Sequence, residues 1–300
     1  MTQKKTPRLI VNGWIALDKP TGLTSTQAVS RLKRLYNAQK AGHAGTLDPL
    51  ASGILPVAFG EATKTVPFVQ DGEKTYQFTV RWGEETDTDD SQGQIINTSL
   101  SRPTQEKIER LLPDFQGAIK QIPPQFSAIK IAGERAYDLA REGEVVELTP
   151  RTVQIYSLKL LHASTEEAGF SMTCGKGAYV RAIARDLGRR LGCLGHVTAL
   201  RRTRVGPFTE QTAFTLNEIE NENKADTALC SVEAGLLALP CIIVDRDTAT
   251  RLRRGGTVIL RGRDAPNEGI VYAACGGVPV AFGEIIEGAL APSRVFNLPF

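Results

Sequence analysis

Gly42-His43-Ala44-Gly45-Thr46-Leu47-Asp48-Pro49-Leu50-Ala51-Ser52-Gly53 is the stretch on which the reading of this chain turns. Three glycines, a histidine, a carboxylate and a proline are followed at once by apolar Ile54-Leu55-Pro56-Val57-Ala58-Phe59, a strand-like run. Pro49 restricts the backbone of Asp48 to the extended region. It also has no N–H, so the carboxylate has one fewer local donor to fold back onto. A carboxylate presented from a tight glycine-bearing loop suits a nucleophile or a base. The same residues also read as a single helical turn, with Asp48 as N-cap, Pro49 at the first position and Gly53 just past the end. Local chemistry leaves both readings open.

Upstream, residues 14–17 read as a short strand stopped by Asp18-Lys19-Pro20-Thr21-Gly22. Thr24 or Ser25 then caps a helix whose apolar positions Ala28, Val29, Leu32, Leu35 and Tyr36 recur at helical spacing. Downstream, 61–69 predicts a short helix. From 74 to 82 the period becomes two, with Tyr76, Phe78, Val80 and Trp82 on one face. The acidic turn 84–90 lacks calcium-loop spacing and reads as solvated Asx-turns, with Asp90 read as facing solvent in preference to joining a charge network with Asp48 and Arg181. Residues 104–112 predict a helix, and Gln121-Ile122-Pro123-Pro124-Gln125 breaks that pattern. The excursion 126–150 carries Lys130, Arg135 and Arg141, and an insertion of this kind suits a binding surface. Residues 153–161 and 169–174 predict an antiparallel strand pair. A helix over 179–191 follows, with Arg181, Arg185 and Arg189 on one stripe. Residues 197–200 are strand-like and end at Arg201-Arg202-Thr203-Arg204. A boundary is expected within 217–239. Beyond Pro240, four short glycine-punctuated strands (242–244, 257–260, 269–273 and 278–282) predict a small β-barrel carrying Arg251, Arg253, Arg254, Arg261 and Arg263.

Three hundred residues allow two domains, or one large domain and a small module. A hydrophobic share of 41% with 23% charged residues is that of a protein with a real core. No apolar run approaches the roughly twenty residues of a membrane span, and no apolar stretch behind the N-terminus reads as a signal peptide. Five scattered cysteines without paired spacing, beside three histidines, point to a reducing, cytoplasmic setting and argue against structural zinc. Between residues 176 and 204, eight basic residues face one acid. That local charge of +7, within a chain of net +3, suggests a polyanionic partner such as RNA or DNA.

The 42–53 motif, together with Gly13-Trp14-Ile15-Ala16-Leu17-Asp18-Lys19-Pro20-Thr21-Gly22-Leu23-Thr24-Ser25, closely resembles the bacterial tRNA pseudouridine synthase B family. Gly177-Ala178-Tyr179-Val180-Arg181 resembles the family's Gly-Thr-Tyr-Ile-Arg helix start, with Ala178 and Val180 in place of threonine and isoleucine. The last sixty residues resemble its PUA module less tightly. The resemblance implies an α+β fold: a mixed, mainly antiparallel sheet flanked by helices, with a small C-terminal PUA-like β-barrel. It implies a catalytic domain over 1–238 with an RNA-binding insertion at about 124–151, and an RNA-binding module over 239–300. The implied activity is isomerisation of uridine 55 in the tRNA T-loop to pseudouridine by an aspartate nucleophile and base flipping, without cofactor or metal. Asp48 would be the nucleophile, Arg181 its orienting partner and Tyr76 the residue stacked on the target base. Tyr179 and Leu200 would line the pocket, His43 would fill the space left by the flipped base, and Lys19 and Pro20 would brace the loop. Lys130, Arg135, Arg141, Arg201, Arg202 and Arg204 would contact RNA. The implied partner is tRNA, held at the T-arm and through the C-terminal module at the acceptor stem, with the enzyme a cytoplasmic monomer and no membrane contact. Two alternatives stand beside it: a guide-RNA-dependent synthase acting on ribosomal RNA, and a tRNA-binding folding chaperone with incidental catalysis.

Overall fold

The computed structural model describes residues 7–127, 130–131, 134–135, 148–222, 224–260 and 268–299. Arg141, Arg261 and Arg263 lie outside the described residues, as do the side chains of Lys130 and Arg135. The strands are β1 (Gly13–Lys19), β2 (Ala41–His43), β3 (Ser52–Phe59), β4 (Lys74–Trp82), β5 (Glu84–Thr86), β6 (Ile95–Thr98), β7 (Gly117–Gln121), β8 (Lys130–Ile131), β9 (Glu134–Arg135), β10 (Arg151–Ala163), β11 (Glu167–Cys174), β12 (Gly195–Val205), β13 (Phe208–Thr209) and β14 (Phe214–Thr215). Eight of them run β14-β1-β3-β12-β4-β11-β10-β7 across one sheet, with β2 added to β3 and β13 to β12. Only the β1–β14 and β3–β12 pairs are parallel, so the sheet is mixed and mainly antiparallel.

The core follows from the residues that build these strands. Alternation along β4 buries Phe78, Val80 and Trp82, and Phe78 stacks on Phe170 of β11 at 5.3 Å between ring centroids. The helix Val180–Arg190 lays Val180, Ile183, Ala184 and Leu187 into the same core, a spacing of three and four that gives one apolar stripe. The helix Ser25–Leu35 is capped by Thr24, not Ser25. Thr24 Oγ accepts from the Gln27 N–H at 3.1 Å, and Gln27 Oε1 accepts from the Thr24 N–H at 2.9 Å. No described helix is long and apolar enough to cross a membrane.

Three local expectations change. Residues 48–53 form no helical turn: the Ala51 N–H reaches the Asp48 carbonyl at 3.1 Å in a tight turn, and Ser52 and Gly53 already belong to β3. β12 does not stop before its arginines but runs through them to Val205, because Arg201–Val205 pair with β4 on one side and Arg201 and Arg202 with β3 on the other. The C-terminal region is not all strand. β15 (Cys241–Ile243), β16 (Val258–Ile259), β17 (Gly269–Cys275), β18 (Val278–Ile286) and β19 (Ala289–Val295) form a five-stranded sheet ordered β15-β17-β18-β19-β16. A helix, Arg246–Arg253, packs on it through Ala249 and Leu252. Asp245 caps that helix by accepting from the Thr248 N–H at 2.8 Å. With only two buried residues over two turns, the helix has almost no apolar period to detect.

The two sheets share a core. Trp14, Phe208 and Val232 pack in one cluster with Tyr272, Phe282 and Phe296 of the C-terminal region. The Tyr272 hydroxyl donates to Glu233 Oε1 at 2.7 Å, and Glu61 Oε2 accepts from the Asn297 N–H at 2.7 Å.

Candidate active site

The loop bearing Asp48 is held at both flanks. After β2, the Ala44 N–H donates to the Pro56 carbonyl at 2.9 Å, and Gly45 takes a φ of 102°. Ser25 uses one hydroxyl twice: it accepts from the Leu47 N–H at 2.8 Å and donates to the Leu47 carbonyl at 3.1 Å. The Gly22 N–H donates to the Pro49 carbonyl at 2.7 Å, tying the Lys19-Pro20 segment to the same loop. At the far end Gly53 has a φ of 101°, and a Cβ there would lie 2.2 Å from the Arg202 carbonyl oxygen. Only glycine fits that close pairing of β3 with β12. Lys19 is fully buried and donates Nζ to the Pro20 and Leu23 carbonyls, both at 2.8 Å. Burial lowers its pKa to about 8 against the opposing pull of Asp48.

Arg181 comes from the first turn of the Val180–Arg190 helix, and its side chain is 5% exposed. Its Nε lies 3.0 Å from Asp48 Oδ2. Nη1 donates to the Thr88 carbonyl at 2.8 Å and Nη2 to the Phe126 carbonyl at 2.9 Å. The guanidinium therefore holds Asp48 by one nitrogen while two carbonyls fix its plane. Gln121, at the end of β7, grips the neighbouring backbone: its Oε1 accepts from the Tyr179 N–H at 2.8 Å and its Nε2 donates to the Tyr179 carbonyl at 3.1 Å. Asp48, Tyr76, Tyr179, Arg181, Leu200 and Arg202 line one cleft of about 260 Å³. Burial raises the pKa of both Tyr76 and Tyr179, so each stays a neutral phenol at neutral pH.

The other expected residues are placed differently. Lys19 and Pro20 line a second cavity of about 440 Å³ with Arg31, Ser52 and Arg201. His43 stands on β2, with its Nδ1 buried and lacking a hydrogen-bond partner among the described residues. Burial, and then the Arg202 charge, lowers its pKa. Arg204 is exposed and donates to the Gly206 carbonyl at 2.9 Å. Arg201 and Arg202 depart from the expectation of a free RNA-facing pair. Arg201 holds Asp18 by two bonds, at 3.0 and 2.7 Å, and Glu210 at 2.6 Å. Arg202 is 2% exposed beneath the Asp48 loop.

The acidic turn is the largest correction. Glu85, Asp89 and Asp90 are buried, not solvated, and they face the arginine stripe. Asp90 Oδ2 lies 3.6 Å from Arg181 Nη1, Asp89 Oδ2 lies 3.0 Å from Arg185 Nη1, and Arg189 grips Glu85 by two bonds of 2.8 and 2.7 Å. Burial raises the Asp89 pKa to about 6 despite Arg185. Lys176 pairs with Asp71 and Arg190 with Asp114. Six of the eight basic residues at 176–204 thus meet carboxylates of the protein itself, some buried and some at the surface. Two complementary series carried the signal: acids at 85, 89 and 90, and arginines at 181, 185 and 189. Ser25 and Gln121 left no comparable trace, because a lone hydroxyl or amide has no spacing to betray it.

Comparison with known proteins falls on the same elements. Residues 33–180 match the TruB family pseudouridylate synthase (N terminal domain), and residues 181–241 match the tRNA pseudouridylate synthase B C-terminal domain. The chain is similar to the tRNA pseudouridine synthase B of Nitrobacter winogradskyi, 57% identical over 298 residues, covering 96% of this chain and 83% of that relative. The Bradyrhizobium diazoefficiens protein of the same name is 57% identical over 306 residues, covering 99% and 89%. Among solved structures, a chain of a Cbf5-Nop10-Gar1 complex superposes with a TM-score of 0.73 at 25% identity, covering 96% of this chain and 85% of that one.

Proposed function

Because the chain belongs to the TruB family of pseudouridylate synthases, we propose that it converts uridine 55 in the T-loop of tRNA to pseudouridine, with Asp48 as the nucleophile. One observation carries the assignment: the carboxylate of Asp48, 36% exposed at a cleft wall, is held by the buried Arg181. A carboxylate fixed by a cation and open to a base-sized space is what covalent attack on a nucleotide needs. The target uridine sits within a folded loop, so it enters the cleft by turning out of the stack. There Tyr76 offers a ring face to the uracil, while Tyr179 and the Leu200 backbone bound the pocket. The glycosidic bond from C1′ to N1 breaks and a bond from C1′ to C5 forms. The C5 proton leaves and N1 gains one, so the reaction is a net isomerisation.

The similarity to relatives named for tRNA, at 57% identity over nearly the whole chain, favours a stand-alone enzyme over a guide-dependent one. The five-stranded C-terminal sheet with its outlying arginines would grip tRNA away from the T-loop.

The test is to incubate the purified protein with an unmodified tRNA transcript and map pseudouridine. Asp48→Asn should abolish product and leave tRNA affinity within about tenfold, since affinity rests on many phosphate and loop contacts. Residual turnover above about one per cent of the unaltered enzyme would place the chemistry elsewhere.

A further inference from the structure

The proposed chemistry leaves Arg202 without a task, and its surroundings give it one. The side chain is almost fully buried, with the guanidinium turned onto main-chain oxygens. Nε donates to the Ile54 carbonyl at 2.8 Å, Nη2 to the Gly45 carbonyl at 3.0 Å and Nη1 to the Thr46 carbonyl at 3.3 Å. Arg181, Arg185, Arg189 and Arg201 each meet a carboxylate. Arg202 forms an ion pair with no carboxylate among the described residues. Three carbonyls take three of its five N–H groups and a side-chain hydrogen bond joins it to Tyr76; these neutral partners leave a net charge, and an arginine in a protein keeps its proton. A buried charge of this kind is costly without a counter-ion. Its field reaches its neighbours: after burial, it is a cause of the lowered pKa of Lys19 and His43 and it opposes the rise at Tyr76. Arg202 also lines the cleft that holds Asp48 and Tyr76.

We infer that Arg202 is a fixed cation for the anion that uracil becomes when its glycosidic bond breaks, an inference that rests on the proposed pseudouridine chemistry. As Asp48 bonds to C1′, the C1′–N1 bond breaks and its electron pair goes to the base, where N1 and the ring oxygens share the negative charge. C5 then bonds to C1′ and releases the Asp48 carboxylate, the C5 proton departs and N1 is protonated, with nothing oxidised or reduced. A cation already locked by three carbonyls stabilises this transient charge without reorganising, and its own missing counter-ion arrives only as the bond breaks. The other anion that could stand there is a phosphate of the RNA, which would be present from binding onward.

Two variants and two substrates separate these sources. Single-turnover consumption of the target nucleoside is measured in tRNA carrying uridine or 5-fluorouridine at the target position. 5-Fluorouracil is the stronger acid and so the better leaving group. Arg202→Gln should slow the uridine substrate by about 10²–10³-fold. It should slow the fluorinated one much less, raising the fluoro-to-uridine rate ratio at least tenfold. Arg202→Lys keeps a charge but cannot span three carbonyls, and its ratio should rise at least threefold. Affinity for tRNA should stay within threefold in both. A variant that slows both substrates equally is a positioning defect in the Asp48 loop and overturns the inference. A weakened affinity with a salt slope shallower by about one, at an unchanged saturating rate, identifies a phosphate contact and overturns it too. Thermal melting selects folded variants. Either folded variant suffices, and failure of both to fold makes Arg202 a structural residue. Unaltered enzyme that forms no pseudouridine overturns the proposed function itself, whereas an active one isolates the test of Arg202.

Discussion

Phe296→Ala tests whether the C-terminal sheet is a separable module or part of the main body. Phe296 follows β19, is fully buried and donates its N–H to the Val280 carbonyl at 2.8 Å. Its ring lies 5.9 Å from that of Phe282, which in turn meets Phe68 edge-on at 4.9 Å. The same cluster contains Trp14 of β1 and Phe208 of β13, both in the large sheet. Truncating a buried phenylalanine to alanine costs about 3–5 kcal/mol in lost transfer energy and cavity. For a chain of this size each kcal/mol lowers Tm by about 2 °C, so the variant should melt roughly 6–10 °C lower. Because the cavity opens in a core shared by both sheets, calorimetry should show one endotherm displaced as a whole. Two resolved endotherms, of which only the smaller moves, would refute the shared core. So would a displacement under about 2 °C.

Arg181→Lys should cut the single-turnover rate at least about 100-fold, because one ammonium cannot reach Asp48, the Thr88 carbonyl and the Phe126 carbonyl together; a near-normal rate would undo the proposed pair. Arg189→Ala strands the buried Glu85 and should cost about 1–3 kcal/mol on chemical denaturation. The same variant should leave the salt dependence of tRNA binding unchanged, and a shallower slope would mean that Arg189 faces phosphate after all. Asp89 titrates near pH 6 when folded against 3.8 for the free group, so folding takes up a proton between those values. Its contribution is fully present below about pH 4 and is lost as pH rises through 6. The stability of the unaltered protein relative to Asp89→Asn should therefore fall from pH 4 to 7, and a flat difference would show that Arg185 fully compensates the burial.

Much of the fold was legible because its elements announce themselves by period. The alternation of β4, the stripe of the Val180–Arg190 helix and a cap at Thr24 or Ser25 are local signals read directly from residue order, with the structure deciding for Thr24. The candidate site was legible through a different route, as a motif shared with a family; local chemistry alone left Asp48 divided between a cap and a nucleophile. What escaped was long-range pairing. Glu85, Asp89 and Asp90 look like a solvated turn because nothing nearby in sequence answers them, while their partners lie about a hundred residues away. The internal pairs within the basic run at 176–204 escaped for the same reason, since a charge count cannot see which charges meet. The Arg246–Arg253 helix escaped because tertiary packing, not its own period, holds it.

The tight seam between β3 and β12 at Gly53 divides the Asp48 motif into two kinds of letter. Gly53 answers to a backbone oxygen 2.2 Å from where its Cβ would stand, and Asp48, as the proposed nucleophile, answers to a reaction. The two demands can be lost independently in descent. A chain that retained Gly53 and Ser25 but carried an inert residue at 48 would keep the scaffold and, on the role proposed for Asp48, be silent as a catalyst, free to serve as a passive RNA binder. Substituting Gly53 would do the reverse, ruining the catalyst without touching a reacting group. Searching genomes for the glycine frame with position 48 left open would therefore sort working enzymes from their inert descendants, which a search for the whole motif merges or misses.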